Sequence, residues 1–190
     1  MNRTSHSHPL RIDTIVVFGA RLGLSICPGK VQAESHTGGW ERDLEVDLDA
    51  VKQWGAGTII TLLEDHEMHA LQVPLLNKKT LERGMDWIHL PFPNDTVPDD
   101  VWLAKFRLVQ QELSQRIRNG ENIFTHCMGG IGRTSLVVAL LLIYQGWTAE
   151  QSITAIHRAR ADSFIMPEQE MFVRNYERAL HNSFPIPQPK

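Results

Sequence analysis

The chain has little cysteine, two in 190 residues, Cys27 and Cys127. That excludes a disulfide framework. It has no apolar run of the roughly 20 residues that crossing a bilayer takes; the run at 136–143 has the length of a buried helix. It also lacks an excess of charge of one sign. Nineteen Lys and Arg against 22 Asp and Glu leave −3, so no overall basic field points to nucleic acid or an anionic membrane. Any anionic ligand must be drawn by local groups. Residues 1–9 are polar and lack the apolar core of a signal peptide, which gives the expectation of a cytoplasmic protein. There is no internal repeat, low-complexity tract or linker. Hydrophobic content of 42% and charged content of 22% are ordinary for a globular protein. One domain over 1–190 is expected, with an ordered core at about 10–182, a polar N-terminal tail and a Pro-rich tail at 184–190.

What is present concentrates at 122–134, Asn-Ile-Phe-Thr-His-Cys-Met-Gly-Gly-Ile-Gly-Arg-Thr. Ile123, Phe124 and Thr125 are strand formers. Gly129, Gly130 and Gly132 then turn the chain, and the apolar run after Arg133 begins a helix. Strand, glycine loop and helix N-terminus aim successive backbone N–H groups at one point, with the helix dipole behind them. Cys127 stands at the mouth of this anion nest. Such donors and a guanidinium can lower a cysteine pKa from about 8.5 to roughly 3.5–7.5. The N–H groups of Met128, Gly129, Gly130, Ile131, Gly132 and Arg133 would hold phosphoryl oxygens while sulfur attacks phosphorus. Arg133 suits a two-pronged grip on phosphate. The Thr134 hydroxyl would assist departure of the thiolate.

His126-Cys127-x5-Arg133-Thr134 with its internal glycines resembles the signature loop of the protein tyrosine and dual-specificity phosphatases. Cys-x5-Arg-Ser/Thr alone arises by chance in about one chain of this length in fifty; the flanking strand, His126, the glycines and the helix make chance far rarer. The resemblance implies a metal-independent phosphatase without cofactor. It would pass through a cysteinyl-phosphate, with His126 orienting the nucleophile through hydrogen bonds and not acting as a base.

Strands are expected at 14–18 and 22–26, with a turn at Cys27-Pro28-Gly29 and a loop at 36–40. A helix at 43–54 carries Leu44, Leu48 and Val51 on one face, and Gly55 stops it. The run at 58–63 suits a strand buried on both faces. Glu64, Asp65, His66, Glu67 and His69 admit a metal reading, but the spacing lacks a zinc-helix pattern; they read as a solvated loop opening a helix. A short helix within 71–83, a strand at 86–90 and an amphipathic helix at 101–119 follow. Thr148-x-x-Gln151 is a capping box opening a helix through about 160, and Pro167 opens the last. Arg158 and Arg160 either stabilise a helix C-terminus or face the site. Cys27 reads as buried filler.

The segment at 91–100, Pro-Phe-Pro-Asn-Asp-Thr-Val-Pro-Asp-Asp, follows a strand and precedes a helix. In a parallel sheet that sets it on the same rim as Cys127. A carboxylic acid there would protonate the leaving oxygen. The resemblance implies an Asp in a Pro-x-x-Asp loop at this place, and ungapped superposition puts Asn94 there. The acid role falls to Asp95, one residue on, while Asp99 reads as a helix N-cap. Without that acid the enzyme would be slow. Arg158 to Gln169 resembles a segment after the signature helix in many dual-specificity phosphatases, which implies that Gln169 positions the hydrolytic water or supports the loop. The stretch 62–67, the Pro91 loop and the order of elements are similar to the cyclin-dependent kinase inhibitor 3 type and its bacterial relatives.

The expected fold is α/β, a central, mostly parallel sheet of four or five strands with helices on both faces. The expected partner is a phosphorylated protein or peptide, bearing phosphotyrosine or phosphoserine/threonine; a monomer is expected, with neither nucleic acid nor membrane. Three rivals stand beside it. A phosphoinositide or RNA-end phosphatase tends to carry basic residues in the loop, where Met128, Gly130 and Ile131 are uncharged. Asn94 suggests a phosphopeptide-binding module without turnover. A rhodanese-like sulfur carrier is disfavoured by Arg133-Thr134 at the loop's end.

Overall fold

Near-continuous apolar runs build the centre of the molecule. A computed structural model describes residues 2–35, 38–164 and 166–183. Its main sheet has five strands in the order β1-β2-β7-β5-β6: β1 (Asp13–Val17), β2 (Ala20–Ser25), β5 (Ala56–Thr61), β6 (Asp86–His89) and β7 (Asn122–His126). Only the β1–β2 hairpin is antiparallel; β2–β7, β7–β5 and β5–β6 are parallel. Neighbouring side chains alternate across the sheet. Ile60 and Ile123 enter one hydrophobic cluster, Ile59 and Phe124 another. This two-sided burial is why these strands read as apolar runs.

The larger cluster is covered by α4 (Asp100–Arg118), α5 (Gly132–Tyr144), α6 (Ala149–Ala159) and α7 (Pro167–Ser183). Helix α5 is buried all round from Gly132 to Ile143, so it has no polar face to display. The opposite face is covered by α1 (Leu44–Trp54), through Leu48 and Val51, and further along by α3 (Leu76–Glu82), through Leu76. Helices therefore lie on both faces of a mostly parallel sheet. Asp43 caps α1, accepting from the Glu45 and Val46 amides, and Gly55 ends it in the left-handed region. No helix among the described residues is long and apolar enough to cross a membrane.

Two expectations are corrected. The polar first residues, expected as a tail ahead of an ordered core beginning at about 10, pack against the body of the molecule. Ser5 is 4% exposed, its hydroxyl accepts from the Asp43 amide, and Arg3 bridges to Trp40. The loop expected at 36–40 runs into a two-stranded ribbon, β3 (Val31–Gln32) and β4 (Trp40–Glu41); residues 36 and 37, like 184–190, lie outside the described residues. The carboxyl ends of the central strands share one rim, since Ser25 and Thr61 both pair with His126.

Candidate active site

Strand β7 delivers Cys127 to that rim. Gly130 follows at φ +65°, and a Cβ there would lie 2.2 Å from the Ser25 carbonyl oxygen. Only glycine lets the loop fold this tightly against the end of β2. Ile131 precedes α5 and makes no side-chain cap, so the first amides of the helix remain available to an anion. Cys127 is 3% exposed, and its Sγ accepts from the Gly130 amide at 3.2 Å. It opens on a cavity of about 1160 Å3 that Met128, Gly129, Ile131 and Gly132 also line.

Arg133 is fully enclosed. Its Nη1 and Nη2 donate to Oε2 and Oε1 of Glu67 at 2.6 and 2.7 Å. Nη1 also donates to the carbonyls of Leu62 and Phe92 at 3.1 and 3.0 Å. Burial pulls its pKa down, but the hydrogen bonds to Glu67 and the charges of Cys127 and Glu67 together raise it. Its Nε has no partner among the described residues. The expected solvated loop at 64–67 is thereby corrected: it opens α2 (Asp65–Ala70), Glu64 and Glu67 form a capping box, and Glu67 is buried against the guanidinium.

His126 is buried, with Nε2 2.8 Å from the Thr61 hydroxyl and Nδ1 3.4 Å from the Cys127 carbonyl. The Trp87 indole donates to the same hydroxyl at 2.8 Å. The Cys127 carbonyl can only accept, so the imidazole proton sits on Nδ1, and Nε2 accepts from the Thr61 hydroxyl, which in turn accepts from Trp87. Burial, reinforced by the charge of Arg133 and opposed by the bond to the Cys127 backbone, lowers the His126 pKa to about 3. The ring is neutral and committed at both nitrogens. Thr134 is buried and its hydroxyl has no partner among the described residues.

Asn94 and Asp95 both face the cavity. Asp95 adopts φ +52°, a conformation Asp and Asn tolerate better than most side chains. Asp99 caps α4, accepting from the Trp102 amide at 2.8 Å. Gln169 is 1% exposed; its Nε2 lies 3.5 Å from the Thr96 carbonyl, and a Cβ on Gly132 would meet its amide at 2.8 Å. Gln169 therefore touches both the signature loop and the 91–100 segment. Arg160, of the two arginines left open, turns to the site: it donates to the Gly129 carbonyl at 2.9 Å and pairs with Asp13 at 2.7 Å.

A family model described as cyclin-dependent kinase inhibitor 3 (CDKN3) matches residues 11–154, well over half of the chain. The chain belongs to the cyclin-dependent kinase inhibitor 3 family. It is 28% identical over 152 residues to cyclin-dependent kinase inhibitor 3 of Sus scrofa, covering 79% of this chain and 68% of that one; the match to the Rattus norvegicus protein spans 58% of its length. The tyrosine-protein phosphatase CDC14 homolog of Schizosaccharomyces pombe is 28% identical over 120 residues, 58% of this chain and 22% of its own. The fold is shared with the crystal structure of a kinase-associated phosphatase whose catalytic-site cysteine is replaced by serine. The TM-score is 0.77 at 23% identity, over 90% of this chain and 96% of that one. These relationships make the CDKN3-family chain a phosphatase-family protein. Its matched span includes Glu67, the 91–100 segment and the signature loop, while residues 2–10, Arg160 and Gln169 lie outside it.

Glu67, Thr61, Trp87 and Lys30 were not singled out as site residues from sequence. Glu67 sits 66 residues from Arg133 in an acid-rich stretch that reads as solvated. Lys30 is buried, and its ammonium reaches the Met128 carbonyl at 3.4 Å; no spacing marks it. Cys27 lies wholly buried with Leu63, Leu71 and Val73, and burial pushes its thiol well up.

Proposed function

We propose that the chain hydrolyses phosphate monoesters on phosphoprotein through a cysteinyl-phosphate. The reading rests on one observation: Cys127 Sγ meets a loop amide at the uncapped start of α5, beside an arginine that Glu67 holds in place. The Cys127 thiolate attacks phosphorus, the bond to the ester oxygen breaks, and Asp95 gives that oxygen its proton. The loop amides and Arg133 balance charge on the three phosphoryl oxygens. Water, activated by the Asp95 carboxylate and oriented by Gln169, then attacks phosphorus. The S–P bond breaks, inorganic phosphate leaves, and the Thr134 hydroxyl donates to the departing thiolate. Neutral His126 holds the Cys127 carbonyl and takes no proton. Thiolate chemistry of this kind needs a reducing compartment, which the cytoplasm supplies.

The test is release of a chromophore from an aryl phosphate by the native chain and by Cys127→Ser. Native turnover that the substitution abolishes supports the reading. Tight phosphopeptide binding by a native chain that turns nothing over would make it a binding module.

A further inference from the structure

The cavity around Cys127 is much larger than one phosphoryl group needs. The wall away from the signature loop is built by the first residues and the β3–β4 ribbon, which the proposed reaction leaves unused. Trp40 is ringed there by cations. Arg3 Cζ and Lys30 Nζ each lie 5.2 Å from its ring centroid, and Arg42 Cζ lies 5.5 Å from it. An aromatic face attracts each of them, but like charges so gathered repel one another.

Among the described residues, only one of the three is paired with a carboxylate. Arg42 is gripped by both oxygens of buried Asp47, at 2.7 and 2.8 Å. Lys30 is 3% exposed, and among the described residues its ammonium donates only to neutral oxygens, Gln32 Oε1 at 3.1 Å and the Met128 carbonyl at 3.4 Å. An ammonium has three donors, so one remains. The Arg3 side chain makes no hydrogen bond or ion pair among the described residues beyond its contact with Trp40. Nearby Asp13 is already shared by Arg11 and Arg160. A buried ammonium without a carboxylate is unfavourable, and desolvation accordingly lowers the pKa of Lys30. Through the Met128 carbonyl, Lys30 adjoins the residue that follows the nucleophile.

We propose that Arg3, Lys30 and Trp40 form a second anion subsite, and that the substrate is a phosphopeptide carrying a further acidic group, phosphate or carboxylate, close to the phosphorylated side chain. This rests on the phosphatase reading above and adds the substrate class. A peptide fits better than a headgroup crowded with phosphates, because the loop between the two subsites presents the uncharged side chains of Met128 and Ile131 to the cavity. Lys30 and Trp40 lie within the span matched by the family model, and Arg3 lies outside it.

Aryl phosphate hydrolysis is measured first; absence of turnover there overturns the phosphatase reading itself. With turnover present, kcat/KM is compared for phosphopeptides whose neighbouring position is phosphoserine, glutamate or alanine, each protein normalised to its own aryl phosphate rate. The native chain is expected to prefer the acidic neighbours by about tenfold, the worth of a charge-assisted hydrogen bond at its weaker end. The preference shrinks with added salt, falls toward unity in Arg3→Ala and inverts in Arg3→Glu. Lys30→Gln, whose amide can still donate to the Met128 carbonyl, lowers it as well. Phosphoserine ahead of glutamate identifies the second group as phosphate, and parity identifies any acid; both support the subsite. No native preference, or one unchanged in both Arg3 variants, overturns it. An inositol phosphate turned over faster than every peptide overturns the assignment to peptide.

Discussion

Replacing Glu67 with glutamine tests the support on which the site depends. Glu67 and Arg133 are 5% and 1% exposed and share two hydrogen bonds of 2.6 and 2.7 Å. Glutamine keeps the volume but offers one acceptor, and it turns an amide N–H2 toward the other guanidinium nitrogen. Removing one member of a buried ion pair costs about 3–5 kcal/mol. Glutamine's remaining bond sets the expectation near ~3 kcal/mol, a melting temperature lower by roughly 6–12 °C for a domain of this size. A fold of ordinary stability, about 5–15 kcal/mol, survives that loss, so activity remains measurable. The guanidinium would keep the Leu62 and Phe92 carbonyls and lose its carboxylate guide. A displacement of about 1 Å at a reacting centre costs roughly 100-fold, so kcat/KM for an aryl phosphate is expected to drop by about two orders of magnitude. Urea unfolding of Glu67→Gln, Arg133→Met and the double variant closes a cycle, with a coupling of roughly 2 kcal/mol expected. A Glu67→Gln protein as stable and as active as the native one would refute the reasoning.

Asp95→Asn should flatten one limb of the pH–rate profile while Asn94→Ala leaves it in place; the reverse pattern would move the acid role off Asp95. Gly130→Ala should lower kcat/KM by roughly 100-fold or more, because its Cβ would collide with the Ser25 carbonyl at 2.2 Å; paired kinetics and thermal melts check this. His126 should make stability fall in acid. Its folded pKa is about 3, below the ordinary 6.5, so the unfolded chain binds the extra proton between those values. The contribution is complete above about pH 6.5 and is lost as pH falls toward 3, at up to ~1.4 kcal/mol per pH unit. Urea unfolding at several pH values should give a shallower slope for His126→Gln than for the native chain.

The sheet was legible because its central strands are buried on both faces. Ile59, Ile60, Ile123 and Phe124 announce themselves as runs of strand formers. The signature loop was legible because its conformation needs residue types that stand out, above all Gly130. Asp99 was legible as a cap because that role is local. Glu67 was not, since nothing within its own stretch distinguishes a carboxylate facing water from one facing an arginine brought in by the fold. The N-terminal segment was misread for a related reason. Arg3 and His8 are held by backbone hydrogen bonds and by packing around Trp40, Ser5 by its hydroxyl on the Asp43 backbone, and such contacts leave no hydrophobic period. Arg160 stood between two roles until the position of Asp13, on a strand 147 residues earlier, decided between them.

The guanidinium of Arg133 meets Leu62 and Phe92 through main-chain oxygen alone. Over generations those two positions are free to drift to any side chain that fills the same volume, because every residue brings the same carbonyl. Glu67 and Arg133 have no such licence. They are yoked, and a lineage that abandons one should be found to have abandoned the other.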